Sequence, residues 1–468
     1  MKSNIKNAPL IILGITIILL WAVHFIPEDT TIFGISIKPV DIFSDVKSDE
    51  ESTETDEVGK NIINEQNSIS KAGFTDVYVL MNISQNFLKS ELEKIGENNS
   101  DLKLNPEELV GNTSQLSSFF NELKNSKNKQ VRIAHYGDSG IETDMVSADL
   151  REILQSKFGG KCVGFVPVFS EGVNYRQSIN FDYSKSWQIY GINTKNPERL
   201  PVGIAGKVFV NSEPAFFEYS TKSRYKNSRD FDVIRLFYSN ANGSTIYYSL
   251  NGKKKEAAKL ESDSDLKVLE IQAPKSTSIR FEIPQAKQAY FYGISLESNN
   301  GVYVDNFALR GNTGIALRDI PNEVYKSFNK ELDYRLILLQ FGLNALSSRT
   351  GNYDRYEKEM VKVINQIKHA FPNVPIIMIG ASDRSVKKGA DFITDPSLED
   401  LIKTQLNISK SADVLYWNEF ESMGGKNSMP KWVEHNPPFA YRDYIHFNEE
   451  GVKKIAEMFS SVLLKEMK

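Results

Sequence analysis

The chain has 468 residues, room for two or three domains that each bury a core, and its hydrophobic (40%) and charged (25%) fractions are those of a globular protein rather than a disordered or fibrous one. A net charge of −4 supplies no basic field, so no nucleic-acid partner is expected. The single cysteine, Cys162, excludes an internal disulfide, a cysteine-cluster metal site and an N-terminal lipoprotein anchor.

Lys2 and Lys6 precede an uncharged stretch from Asn7 to Pro27 that is just long enough to cross a bilayer, with Trp21 near one interface. Cations before it and Glu28-Asp29 after it put the N-terminus in the cytoplasm and the rest outside. No small-residue cleavage site precedes the proline, so residues 8–26 are expected to be an uncleaved signal-anchor in the inner membrane with a periplasmic catalytic domain. Residues 28–112 read as an extracytoplasmic linker: an acidic, hydroxyl-rich spacer from Ser48 to Glu57, then a weakly helical region without an assigned role.

Leu116–Leu123 predicts a helix leading into the apolar strand that starts at Val131 and stops at Gly137-Asp138-Ser139. Val146, Leu150, Ile153, Leu154 and Phe158 then fall on one helical face, closed by Gly159-Gly160. A serine on such a turn presents its hydroxyl above the end of a parallel sheet, beside the free N–H groups of the following helix. Asp-Ser is also ordinary turn and cap chemistry, so this turn alone does not decide.

Between Val163 and about Asn300 the pattern changes to short alternating runs (Val233–Tyr238, Thr245–Leu250, Leu266–Ile271, Ile279–Ile283, Ala289–Leu296) separated by Asn-Gly turns or polar clusters, which predicts a β-sandwich. Its aromatics (Phe216, Phe217, Tyr219, Tyr247, Tyr248, Tyr290, Tyr292) are stacking platforms for sugar rings or, more commonly at strand spacing, core. Past Gly301 the strands Arg335–Phe341, Val374–Ile379 and Val414–Trp417 alternate with helices over Tyr356–Phe371, Leu398–Leu406 and Gly451–Leu464. The expected architecture is therefore an α/β domain (113–166 and 301–468) interrupted by an inserted sandwich (167–300).

A nucleophilic serine needs a base, and the chain holds five histidines. His24 falls in the apolar N-terminal stretch, His135 within the strand, His369 on a helix beside a lysine and His435 in an unplaced loop. His446 stands just before the last helix with Asp443 three residues upstream, where a carboxylate can fix the imidazole tautomer, although Asp443 could equally cap a turn. Asn344 follows an apolar strand and would stand at the same sheet edge as Ser139, where its amide could donate to an oxyanion. Arg310-Gly311-Asn312-Thr313-Gly314 offers a second loop whose backbone can approach a ligand closely.

Gly-Asp-Ser, a glycine turn, Gly-x-Asn after a strand and Asp-x-x-His before the last helix, in that order, resemble the four blocks of the SGNH (GDSL-type) hydrolases. The resemblance covers roughly residues 116–166 and 301–468 and implies a three-layer α/β/α fold. It implies Ser139 as nucleophile, His446 as base oriented by Asp443, and an oxyanion hole from the Ser139 and Gly314 N–H groups with the Asn344 side chain. Asp138 and Gly311 take supporting places, and Gly311 is the alternative matching glycine. Leu150-Arg151, Leu154-Gln155, Phe158-Gly159 and Gly164-Phe165 further resemble envelope enzymes that remove or transfer O-acetyl groups on peptidoglycan and carry a carbohydrate-binding-like sandwich at this position. The segments Gly301–Gly311 and Glu421–Met429 are similar to the versions in Bacteroidetes-type chains.

These readings imply a membrane-anchored serine O-acylesterase that needs no metal or organic cofactor and acts on an O-acetylated glycan, with peptidoglycan as the expected substrate. A transferase, partnered by a membrane acyltransferase that supplies acetyl, and an inactive glycan-binding scaffold are the alternatives.

Overall fold

The computed structural model describes residues 104–169, 176–285, 287, 289–346 and 352–467, together with the antiparallel strand pair Thr31–Ile32 and Ile35–Ser36. The expected membrane segment, residues 8–26, lies outside the described residues, among which no helix is long and apolar enough to cross a membrane.

The α/β part is built on five parallel strands: β1 (Gln130–Gly137), β2 (Gly301–Ala308), β3 (Tyr334–Gln340), β4 (Ile376–Ile379) and β5 (Leu415–Trp417), in the order β2-β1-β3-β4-β5. Both faces are covered, which is why β1 and β3 read as near-continuous apolar runs. Val131, Ile133, Leu336 and Leu338 point into one layer with helices α1 (Ser117–Lys124), α2 (Ser147–Phe158) and α6 (Glu449–Lys465). Ala134, Tyr136, Ile337 and Leu339 point into the other, against α3 (Asn322–Leu332), α4 (Asp354–Ala370) and α5 (Leu398–Ser411).

The chain passes from β1 to β2 on one side, and from β2 through α3 across to β3 on the other. This makes the β1/β3 boundary a topological switch point, where a crevice opens beyond the carboxyl ends of the strands. Gly137 pairs with Ala308 on one side and Gln340 on the other, so the three strands end level there.

The inserted region is a sandwich of two antiparallel sheets. One holds Ile179–Tyr183, Ala215–Thr221, Ser278–Ile283, Thr245–Leu250 and Glu256–Lys259; the other holds Trp187–Gly191, Lys207–Asn211, Tyr290–Glu297, Phe231–Ser239 and Lys267–Ser276. Gly164–Val166 pairs with Tyr290–Glu297, so the sandwich begins three residues ahead of the expected boundary. Of the seven aromatics, Phe217, Tyr219 and Tyr292 are buried, and only Tyr247 is largely exposed.

One sheet also packs outward on the α/β part: Phe237 and Tyr292 meet Phe328 of α3 at ring distances of 5.8 and 5.5 Å. Arg132 of β1, fully buried, pairs with Glu297 and Asp305, where the last sandwich strand hands over to β2. Upstream, residues 104–112 belong to the α/β part rather than to a linker. Val110 bridges Tyr416, and the Trp417 indole donates to Glu107 O at 3.0 Å.

Helix α3 leaves only a weak signal in the sequence. Its buried residues Tyr325, Phe328 and Leu332 form a narrow stripe in a polar segment. The hairpin Ser385–Lys388/Asp391–Thr394 was likewise unforeseen.

Candidate active site

The turn after β1 is shaped by two local features. A Cβ on Gly137 would stand 2.8 Å from Gln340 O and from the Ile141 side chain, so only glycine lets the chain turn here. Asp138 then caps the short helical turn that starts at Ser139 by accepting from Gly140 N at 2.9 Å. Ser139 is the first residue of that turn, where an N–H has no intrahelical partner.

Ser139 Oγ lies 3.3 Å from His446 Nε2, and His446 Nδ1 lies 2.7 Å from Asp443 Oδ2. The other Asp443 oxygen accepts from the backbone N–H groups of Ile445 (2.9 Å) and His446 (3.0 Å). Burial pushes the Asp443 carboxyl up, but the hydrogen bonds from the His446 amide, its imidazole and the Ile445 amide outweigh it and hold the group below its ordinary range. Asp443 thus stays ionised beside the imidazole.

Asn344 sits in the turn Leu343–Ala345 that follows β3, across the switch point from Ser139. Its amide donates to Asp138 Oδ2 at 2.9 Å and to Asn312 O at 3.2 Å. Asp138 is therefore a tether between the Ser139 turn and Asn344. Burial raises its pKa, against hydrogen bonds from Gly140 and Asn344 and the charge of His446.

The Gly314 expectation needs correction. Its N–H is spent on Asn312 Oδ1 at 2.6 Å, and it adopts φ +94° packed against Met360 and Phe341. Neither Gly311 nor Gly314 lines the cleft. The residue that organises this loop is Asn312, whose side chain accepts from Gly314 N and whose carbonyl accepts from Asn344, a role that its place between two glycines does not signal.

The cleft, about 190 Å³, runs from Asp138, Ser139 and Gly140 past Gln340–Asn344 and Gly380–Ser382 to Glu419, with Ile445, His446 and Phe447 as its outer wall. From its floor, at Gln340 and Glu419, a polar row runs into the interior. Gln340 donates to Glu419 Oε2 at 2.7 Å and meets His135 Nε2 through Oε1 at 3.0 Å; His135 Nδ1 meets Ser147 Oγ at 2.9 Å, and Asn306 donates to Ser147 Oγ at 2.8 Å. Burial pushes the Glu419 carboxyl up to about 8 against the Gln340 hydrogen bond, and pushes His135 down to about 4. His135 is thus a neutral structural link, and His369 is exposed on α4. His435 stacks on Phe439 at 4.0 Å.

The Leu-Arg-x-x-Leu-Gln pattern has a physical reading too. Arg151 donates to Asp144 and to Val304 O, and Gln155 to Cys162 O and Val302 O, so the motif ties α2 to β2.

No protein-family model and no curated protein matches the sequence. Among solved structures, a peptidoglycan O-acetylesterase is similar at 18% identity over 77% of this chain and 99% of that one, with a TM-score of 0.63. A family two carbohydrate esterase from Cellvibrio japonicus aligns at 10% identity over 62% of this chain and 98% of that one (TM-score 0.26). An acetyl xylan esterase aligns at 14% over 34% and 80% (0.27); neither superposes well enough to carry an argument. The first likeness shows a shared fold.

Proposed function

We propose, from the SGNH-hydrolase fold of this chain and the serine–imidazole–carboxylate line at its switch point, that it is a serine O-acylesterase acting on an O-acetylated glycan. The observation that carries the reading is the line itself: a serine hydroxyl 3.3 Å from an imidazole whose other nitrogen is 2.7 Å from a carboxylate, with the serine and the imidazole opening on one cleft.

In this reading His446 Nε2 takes the Ser139 proton as Oγ attacks the ester carbonyl, and Asp443 stabilises the imidazolium. The oxyanion is met by the Ser139 N–H and by the Asn344 N–H now resting on Asn312 O, its longer bond at 3.2 Å. His446 then protonates the departing sugar oxygen, leaving acyl-Ser139. Water, deprotonated by His446, attacks the acyl carbonyl, and the proton returns to Oγ as the acid leaves.

Peptidoglycan is the proposed glycan. Support comes from the motif resemblance and from the fold shared with a peptidoglycan O-acetylesterase. Residues 8–26 are proposed to anchor the chain in the inner membrane with this domain in the periplasm, near any membrane acyltransferase that O-acetylates the same glycan.

The test incubates the full chain, in detergent, with O-acetylated peptidoglycan, with and without a sugar acceptor, and follows free acetate and acetylated acceptor together. Acetate release that Ser139→Ala reduces by ~10⁴-fold or more, with little acceptor acetylation, is the expected result. Acceptor acetylation exceeding acetate release makes the chain a transferase. Equal inertness of both proteins, on this substrate and on aryl acetates, leaves a binding scaffold.

A further inference from the structure

Beyond Ser139 the chain follows a path that residues with a Cβ rarely take. Thr143 (φ 61°), Asp144 (φ 71°) and Val146 (φ 58°, ψ −51°) all have left-handed φ, an outlier for a β-branched valine. Such a path persists only where surrounding contacts over-determine it.

Here the contacts converge on Asp144, which is fully buried. Arg151 of α2 donates to its two oxygens at 3.3 and 2.5 Å. Ser178 Oγ donates at 2.5 Å, and Arg176 approaches Oδ1 at 3.3 Å. Arg176 and Ser178 are not part of the α/β domain: they lead directly into the sandwich strand Ile179–Tyr183.

The sandwich also reaches the loop that holds Asn344. Asn312, whose carbonyl and side chain engage Asn344 and Gly314, donates to Asn193 Oδ1 at 2.6 Å, two residues past the sandwich strand Trp187–Gly191.

Charge argues that this is more than packing. One arginine neutralises Asp144; a second buried beside it carries a desolvation cost that a structural pair does not need. Burial and the nearby Arg151 hold the Arg176 guanidinium below its ordinary range, although Asp144 pulls the other way.

We propose that the inserted sandwich is a working part of the catalytic centre, in which Arg176 and Ser178 are positioning residues that hold the turn behind Ser139 through Asp144, and Asn193 steadies the Asn344 loop through Asn312. This rests on Ser139 being the nucleophile. It assigns the sandwich a role on the reaction itself, separate from any grip on a glycan.

The test uses the full chain carrying Arg176→Met, Arg176→Lys, Ser178→Ala or Asn193→Ala, with a small aryl acetate, which is too small to span to the sandwich, and a fluorophosphonate that labels the nucleophilic serine. Arg176→Met leaves the balanced Asp144–Arg151 pair, so the variant is expected to fold. The expected result is a ~10- to 100-fold fall in kcat for Arg176→Met, a smaller fall for Ser178→Ala and Asn193→Ala, KM nearly unchanged, labelling slowed in proportion, and partial rescue in Arg176→Lys.

Folded Arg176→Met with wild-type kcat and labelling overturns the proposal. So does a loss seen only as a raised KM on glycan, which makes the sandwich a binding module alone. Should Arg176→Met unfold, wild-type labelling in folded Ser178→Ala and Asn193→Ala overturns it as well. A wild-type chain inert to both reagents takes down the esterase reading, and this one with it.

Discussion

The two walls of the cleft are held in opposite ways. The half-buried Ser139 stands on a wall whose Asp138, Ile141 and Asp144 are buried and cross-braced by residues far away in the chain: Asp138 to Asn344, Asn306 to Ile141 O, and Asp144 to Arg176 and Ser178. The histidine wall is a loop in which Asp443 and His446 keep 45% and 44% of their side-chain surface exposed. Its order is mostly local, from the Asp443 bonds to Ile445 N and His446 N and from Tyr441 N to His446 O. Outside support comes from the hairpin Ser385–Lys388/Asp391–Thr394, through Ser385 N on Tyr444 O (3.0 Å) and Phe392 stacked on Tyr444 at 3.6 Å, and from Trp432 packed on Phe447 at 5.1 Å. In the proposed reaction the contrast has a physical reason: the attacking hydroxyl is held by a turn of costly backbone geometry, whereas the base needs only its tautomer fixed, which one nearby carboxylate can do.

This contrast can be broken at graded points. Asp443→Asn should lower kcat on aryl acetate by ~10²- to 10³-fold, less than the ~10⁴-fold typical of a buried triad carboxylate, because water can partly replace an exposed partner. A full ~10⁴-fold loss, measured by steady-state kinetics, would show the histidine wall to be as closed in the working enzyme as the serine wall.

Phe392→Ala removes the ring stacked on Tyr444 in the base loop. A stacked pair contributes about 0.5–1.5 kcal/mol, so kcat should fall only roughly 2- to 10-fold with unchanged fluorophosphonate labelling of Ser139 beyond that factor. A larger loss would mean that the loop is not self-ordered.

The smallest effect concerns stability. Glu419, raised by burial to about 8, keeps a proton that the unfolded chain releases above the ordinary carboxylate value of 4.5, so this group costs stability progressively as pH rises through that window. Glu419→Gln should therefore melt increasingly above wild type as pH goes from about 5 to 8, followed by calorimetry. A pH-independent offset would place an ionised carboxylate on the cleft floor. His135 acts with the opposite sign: lowered from 6.5 to about 4, its contribution is present above pH 6.5 and lost on acidification.

The histidine wall was legible in the sequence because its geometry spans four residues: Asp443 reaches His446 and its amide whatever the rest of the chain does. The apolar runs of β1 and β3, and the turn at Gly137-Asp138-Ser139, were legible for the same reason, since period and turn chemistry are local. Asn344 could be put at the correct sheet edge because strand ends in a parallel sheet lie level. What only the tertiary structure decided is which groups touch across the cleft. Gly314 has the glycine expected of an oxyanion donor, yet its N–H faces Asn312, and Glu419 reaches the floor from 79 residues beyond Gln340. The brace on Asp144 joins residues 34 positions apart in two different sheets' territory. Hydrogen bonds of that span leave no periodic or spacing signal, because their partners are brought together only by strand order and by the packing of the sandwich on the α/β domain.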